Sequence, residues 1–362
     1  MKKIQGLQHG MGIGGWLTNY KRFNVLKPER RLQITIGDME HFESYITERD
    51  VAYIASLGMD HIRLGFDQIV LEESPYVYRE KIFEILKNFV DWCKKYNLRV
   101  VFNMHKAIGN YCDILDECGL MQTEELQNRF IAVWLKMEEV FANEPDVIFE
   151  LLNEVVNSTA AEWNAVAEKT VNAIRKKNAD RLIIVGGIRW NSPSALLELK
   201  VFDDENVIYT FHNYDPHGFT HQRGVLQADP LYYNREMPYP CDDMQRYIDY
   251  HRLIGTTTHY DKYERIDINY LRDGMRPVKQ FMDMHPDKVV WCGEFGTIRH
   301  CRLEWRENWM RDIITILKEW DIPYCVWNYL STPNDGNRFS LVDDDHRLIL
   351  SEEMARIIRG DI

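Results

Sequence analysis

The chain of 362 residues lacks any apolar run approaching the ~18–20 residues that a membrane-spanning helix needs. Its 20 glycines and 12 prolines are scattered, which excludes collagen-like and low-complexity chains. An excess of positive charge is missing as well. The 44 basic against 56 acidic side chains leave a formal charge of -12, so neither nucleic acid nor an anionic membrane surface is an expected partner. Paired cysteines are absent. The seven (Cys93, Cys112, Cys118, Cys241, Cys292, Cys301, Cys325) are odd in number and form no C-x-x-C, which argues against a disulfide framework or a zinc ribbon. Lys2 and Lys3 begin like an export leader, but Gln5, Gln8 and His9 interrupt the apolar stretch a leader would require. The expectation is a cytoplasmic protein, or a secreted one whose leader has already been removed. Aromatics, by contrast, are plentiful. Ten Trp, 19 Tyr and 15 Phe supply a large core and flat faces on which a ligand can stack.

Short, almost wholly apolar runs alternate with longer amphipathic stretches. The runs are 60–66 (DHIRLGF), 99–104 (RVVFNM), 147–152 (VIFELL), 182–186 (LIIVG), 207–211 (VIYTF), 289–293 (VVWCG) and 324–328 (YCVWN), with a first near 10–15. Runs this short and rich in Val, Ile and aromatics read as strands buried on both faces, as in parallel sheets. Between them, 79–96, 123–141, 159–177, 269–285, 303–320 and 351–359 carry apolar residues at helical spacing, and Thr47 with Asp50 forms a capping-box start for a helix ending before Gly58. About eight strand–helix units in strict alternation predict an α/β fold, a (β/α)8 TIM barrel in one catalytic domain over 1–362. The competing doubly wound sheet lacks a G-x-G-x-x-G between strand and helix. Residues 213–267 are too long for a plain loop. They are expected to form a small inserted subdomain on the active-site face, with its many tyrosines either lining that face or packing on one another.

Polar residues interrupt the strands at one rim. Arg63 comes late in the second strand, His105 ends the third, Asn153 and Glu154 the fourth, His212 and Tyr214 the sixth, Glu294 the seventh and Trp327 the eighth. Barrel enzymes carry their reactive groups at the C-terminal ends of strands. Six strands ending this way are hard to obtain from packing alone. No serine elbow, phosphate loop or H-E-x-x-H accompanies them, no His-x-His ends the first strand, and neither metal nor cofactor is expected. Two glutamates with Arg, His and Tyr neighbours and a Trp platform suit glycosidic bond hydrolysis. One carboxyl protonates the departing oxygen while the other attacks the anomeric carbon or activates water.

Those residues resemble glycoside hydrolase family 5. Phe149-Glu150-Leu151-Leu152-Asn153-Glu154 and Cys292-Gly293-Glu294-Phe295-Gly296 look like its two signature strand ends, and Arg63, His105, His212, Tyr214 and Trp327 fit in order. The likeness runs from Gly12–Leu17 to Phe339–Leu348, with Phe219–Gln222 (FTHQ) and the insertion resembling clostridial-type endoglucanases. Val155 stands where many members carry Pro, and Gly65 is often Pro in relatives. The resemblance implies a retaining double displacement with Glu154 as acid/base and Glu294 as nucleophile. It further implies that Arg63, His105, Asn153, His212, Tyr214 and Trp327 bind substrate or orient the carboxyls. Trp190 and Trp16 are candidate sugar platforms beyond the cleavage point. The expected substrate is a β-1,4 or mixed β-1,3-1,4 glucan or a cello-oligosaccharide, with no obligate protein partner. An exo-acting β-glucosidase or a β-mannanase on the same scaffold, and a non-catalytic carbohydrate-binding barrel, are the alternatives. The acidic stretch Asp343-Asp344-Asp345-His346 reads as an exposed turn between short strands.

Overall fold

Eight parallel strands close into a ring: β1 (His9–Leu17), β2 (His61–Asp67), β3 (Arg99–Lys106), β4 (Val147–Glu150), β5 (Ile183–Gly186), β6 (Val207–Asn213), β7 (Val289–Phe295) and β8 (Tyr324–Val326). Neighbours in the ring are neighbours in sequence, and β8 pairs with β1 to shut it. This is the expected (β/α)8 barrel. The computed structural model describes residues 3–22, 26–115, 118–224, 236–253, 262–332, 335 and 338–362.

Strand side chains alternate between two faces, and here both are buried. Ile62, Leu64 and Phe66 of β2 and Val100, Phe102 and Met104 of β3 belong to the large apolar layer beneath the helices. Val101, Ile148, Ile184, Ile208 and Trp291 form a second cluster inside the ring, with Leu7, just before β1, at its N-terminal end. Followed towards the strand ends, the inner rows turn polar: Val101 leads to Asn103 and His105, Ile148 to Glu150, and Ile208 to Thr210 and His212. On β7 a register shift intervenes. Phe211 lies opposite Cys292 but His212 lies opposite Glu294, so Gly293 is skipped and Glu294 joins the same row as His212. The polar mouth is therefore a consequence of two-residue periodicity plus one irregularity.

Ten helices matter to the packing: α1 (Ile36–Ser44), α2 (Glu48–Ser56), α3 (Glu80–Lys95), α4 (Glu124–Phe141), α5 (Ala160–Arg175), α6 (Met244–Leu253), α7 (Ile268–Gly274), α8 (Arg276–Met284), α9 (Leu303–Glu319) and α10 (Glu352–Ile358). Reciprocal caps start α1 (Thr35 and Asp38), α2 (Thr47 and Asp50) and α5 (Thr159 and Glu162). The stripe Ile82, Phe83, Leu86, Phe89, Val90 and Cys93 of α3 is buried as its spacing predicts. Two expectations need correction. The single helix predicted over 269–285 is two, because Gly274 closes α7 and Pro277 suits only the first turn of a new helix. The fifth unit has no full helix, only a 3-10 segment at Pro193–Glu198, so the alternation is not strict.

The predicted insertion lies partly outside the described residues, and Tyr232, Tyr233 and Tyr260 fall there. Of its described tyrosines, Tyr239 is buried with its hydroxyl donating to Asp312 of α9 at 2.6 Å, and Tyr247 donates to the Pro238 carbonyl at 2.8 Å. The 343–346 stretch is a turn closed by a bridge between Val342 and Ile349, as expected, and Asp344 pairs with Arg299 and Arg338. The seven cysteines, all among the described residues, are not joined in disulfides. Among the described residues no helix is long and apolar enough to cross a membrane.

Candidate active site

At the C-terminal mouth of the barrel lies an open cleft of about 670 Å³, lined by His105, Asn153, Glu154, His212, Tyr214, Glu294, Trp327 and Trp190 among others. Arg63, fully buried on β2, organises its floor. Its Nε and Nη2 donate to the two oxygens of Glu150 at 2.6 and 2.8 Å, and Nη2 also donates to Asn153 Oδ1 at 2.7 Å. Nη1 donates to Glu294 Oε1. A guanidinium is suited to this because its donors form a rigid planar fork. Burial disfavours its charge, but Glu150 and Glu294 outweigh that and hold its proton more firmly than usual.

Glu294 receives a second donor, the Tyr214 hydroxyl on Oε2 at 2.8 Å, and His212 Nδ1 lies 3.7 Å from the same oxygen. His212 Nδ1 shares a 3.0 Å hydrogen bond with Glu154 Oε1. One oxygen of Glu154, one of Glu294 and a His212 nitrogen all fall within 4.8 Å of one another. The two carboxyls have opposite environments. Burial would raise the Glu294 pKa, yet His212, Arg63 and the hydrogen bond from Tyr214 hold it below the usual carboxylate range. For Glu154 burial dominates and the nearby Glu294 charge adds to it, so its pKa is raised despite His212. The ionised form is favoured in one group and the protonated form in the other, the division that acid-assisted displacement needs. On spacing alone the same trio could ligate a divalent ion, but both oxygens of Glu294 already accept protein hydrogen bonds.

The floor is aromatic. Trp327 stacks on the His105 ring at 5.2 Å and 14°. Space for its indole comes from β1, where a Cβ on Gly12 or Gly14 would lie 2.7 or 2.8 Å from indole carbons. His105 Nδ1 is tied to Asn103 Oδ1 at 3.0 Å. Burial, with Lys106, Arg63 and His212 nearby, drives its pKa well down, so it stays neutral.

The fold thus assembles Arg63, His105, Asn153, Glu154, His212, Tyr214, Glu294 and Trp327 around one cleft, with Trp190 half-exposed at its edge. Trp16 does not join them. It is only 1% exposed, donates its Nε1–H to the Phe42 carbonyl at 2.8 Å and meets Phe89 of α3 edge-on. By two-residue alternation it would share the inward row with Gly12 and Gly14, but the pairing of β1 with β2 shifts between Ile13 and Leu17, and Trp16 lies in the helical layer as a core residue. Sequence reasoning gave no role to Glu150, which is buried and anchors Arg63. The available signal was a carboxylate inside VIFELL, a position no apolar strand tolerates without a cation.

A barrel mouth holding two oppositely tuned carboxyls within such a distance defines a glycoside hydrolase. The family model of cellulases, glycosyl hydrolase family 5, matches residues 26–332, and the chain belongs to this family. It is similar to Endoglucanase C of Acetivibrio thermocellus, 32% identical over 96% of this chain and 97% of that protein. Cellodextrinase A of Ruminococcus flavefaciens is 27% identical over 76% of this chain and 81% of its own length. The crystal structure of an endoglucanase from the hyperthermophilic Thermotoga maritima superposes with a TM-score of 0.73 at 22% identity, covering 98% of this chain and 97% of that one, a likeness of fold.

Proposed function

We propose that this chain is an endo-acting β-1,4-glucanase that cleaves cellulose-type or mixed-linkage chains and cello-oligosaccharides by double displacement. The observation that carries the reading is the Glu154–Glu294 pair, with oxygens within 4.8 Å of each other and surroundings that lower the pKa of Glu294 and raise that of Glu154. Retaining enzymes keep their carboxyls roughly 5–5.5 Å apart, too close for an intervening water. In the first step a Glu294 oxygen bonds to the anomeric carbon as the glycosidic bond breaks, and Glu154 gives its proton to the leaving oxygen. In the second, Glu154 takes a proton from water, whose oxygen displaces Glu294 and regenerates both carboxyls.

Arg63 and Tyr214 keep the Glu294 charge in place through their hydrogen bonds. His212 orients Glu154. With Asn153 Oδ1 committed to Arg63, its amide nitrogen is the donor left for a sugar hydroxyl. His105 and Trp327 form the face under the sugar being cleaved, and Trp190 is a platform under the leaving one. The β-glucan reading is supported by relatives named endoglucanase and cellodextrinase. An open cleft suits internal cleavage. The test is the fall in viscosity of carboxymethyl cellulose per reducing end released, with cellopentaose, mixed-linkage glucan and mannan as parallel substrates. A steep early fall supports endo-glucanase action. Glucose released singly from chain ends, or a preference for mannan, overturns it.

A further inference from the structure

Trp190 stands on an unusual backbone. Arg189, Trp190 and Asn191 all have positive φ (54°, 55° and 55°), and none is glycine. The left-handed conformation is strained for an L-residue, so three in succession persist only where the surroundings impose them. The constraint is visible. Asn191 is buried at 1% exposure, and its Oδ1 accepts the Gly187 N–H at 2.8 Å, folding the segment back on the end of β5. Gly186 makes room, because a Cβ there would lie 2.5 Å from the Asn191 amide. The other polar atom of the Asn191 side chain, Nδ2, has no hydrogen-bond partner among the described residues.

The fold so formed aims Trp190 at the cleft. Its backbone N–H donates to the Val155 carbonyl at 3.2 Å, the residue after Glu154, and its indole N–H donates to the Cys112 carbonyl at 3.0 Å. The indole remains 47% exposed and lines the cavity beside Leu115, Ser192 and Pro193. Anchorage to the residue following the acid puts this face on the side where the protonated oxygen departs. His105, which carries the sugar being attacked, is instead linked to Asn19, with its Nε2 3.4 Å from the Asn19 amide.

We propose that Asn191 is a positioning residue: by clamping the left-handed tripeptide to Gly187 it presents Trp190 as the surface that binds the leaving sugar and, in reverse, an incoming acceptor sugar. This rests on the reading of Trp190 as a platform and adds the device that sets it. A sugar acceptor competes with water for the glycosyl-enzyme. Its hydroxyl bonds to the anomeric carbon, Glu154 takes the hydroxyl proton, and Glu294 departs. The ratio of transfer to hydrolysis therefore reports the platform and is blind to a general loss of active protein.

The experiment compares Asn191→Ala, Asn191→Asp and Trp190→Ala with the parent enzyme. It uses β-cellobiosyl fluoride as donor, which has no leaving sugar, cellobiose as acceptor, and cellotetraose as a full-length substrate. Asn191→Ala is expected to lower the transfer ratio and kcat/KM on cellotetraose about tenfold, as a misplaced binding surface does. Fluoride consumption should fall much less. Asn191→Asp keeps the acceptor for the Gly187 N–H and puts a carboxyl oxygen in place of the nitrogen; burial favours its neutral, protonated form, so at acidic pH it should restore most of the ratio. An Asn191→Ala protein with the parent's ratio, or with equal losses on both substrates, overturns the clamp. If Trp190→Ala itself leaves the ratio unaltered, the platform reading fails instead, and the two failures are distinguishable.

Discussion

Replacing Arg63 with lysine should damage stability and the acid side of the pH profile together. The guanidinium makes four hydrogen bonds, two to Glu150 and one each to Asn153 and Glu294, through three different nitrogens inside a fully buried site. An ammonium on a shorter, non-planar head cannot span these partners. It retains a charge, but one or two of the carboxyl contacts must open. Disrupting a buried ion pair costs about 3–5 kcal/mol, and hydrogen bonds to charged groups contribute about 1.5–3 kcal/mol each, so the two routes to a magnitude agree. Thermal unfolding should show a drop of roughly 4–7 °C for a chain of 362 residues.

The pH consequence follows from Glu294. Its pKa in the folded chain is depressed, so it contributes stability that is present above the unfolded pKa and lost as pH falls through the folded one. Activity needs the same ionised form. Weakening the Arg63 contact raises the Glu294 pKa and should move the acid limb of kcat/KM up by about one pH unit. The assay is calorimetry together with a pH–rate profile on an aryl cellobioside. A variant whose melting temperature and acid limb both match the parent would refute the assignment of Arg63 as the keeper of the nucleophile's charge.

Other outcomes follow from the same geometry. Glu154 must carry a proton to act, and its pKa is raised, so activity should fall as pH rises through that pKa; Glu154→Gln should abolish this basic limb on activated substrates and lower kcat on cellotetraose by about 10²–10⁴. Trp16→Ala should cost about 3–5 kcal/mol in denaturant melts, with KM unaltered in the protein that folds, since its indole fills the helical layer. Gly14→Ala places a Cβ 2.8 Å from the Trp327 indole, so KM for cellotetraose should rise and tryptophan fluorescence should shift while the fold persists.

Much of this was legible in the chain because a barrel is periodic. Short apolar strands, six of the eight ending in a polar or aromatic candidate, encode both the ring and its reactive rim, and the eight strand-end candidates from Arg63 to Trp327 converge. What periodicity does not encode was missed. Trp16 looked like a platform because of its place after the first apolar run, but the irregular pairing of β1 with β2 between Ile13 and Leu17, which alternation does not foretell, leaves it buried in the helical layer. Glu150 was hidden because its role depends on Arg63, 87 residues away. The left-handed run at 189–191 has no sequence signal of its own, since none of the three residues is glycine and only the preceding Gly186-Gly187 hints at it.

The central claim is that Glu294 attacks the anomeric carbon itself rather than directing a water to it. Proton NMR of the first sugar anomer released from a cello-oligosaccharide tests this directly, before mutarotation mixes the two forms. The geometry predicts that the β-anomer appears first and the α-anomer grows in behind it. Initial release of the α-anomer would show a single displacement by water, for which carboxyls within 4.8 Å leave no space.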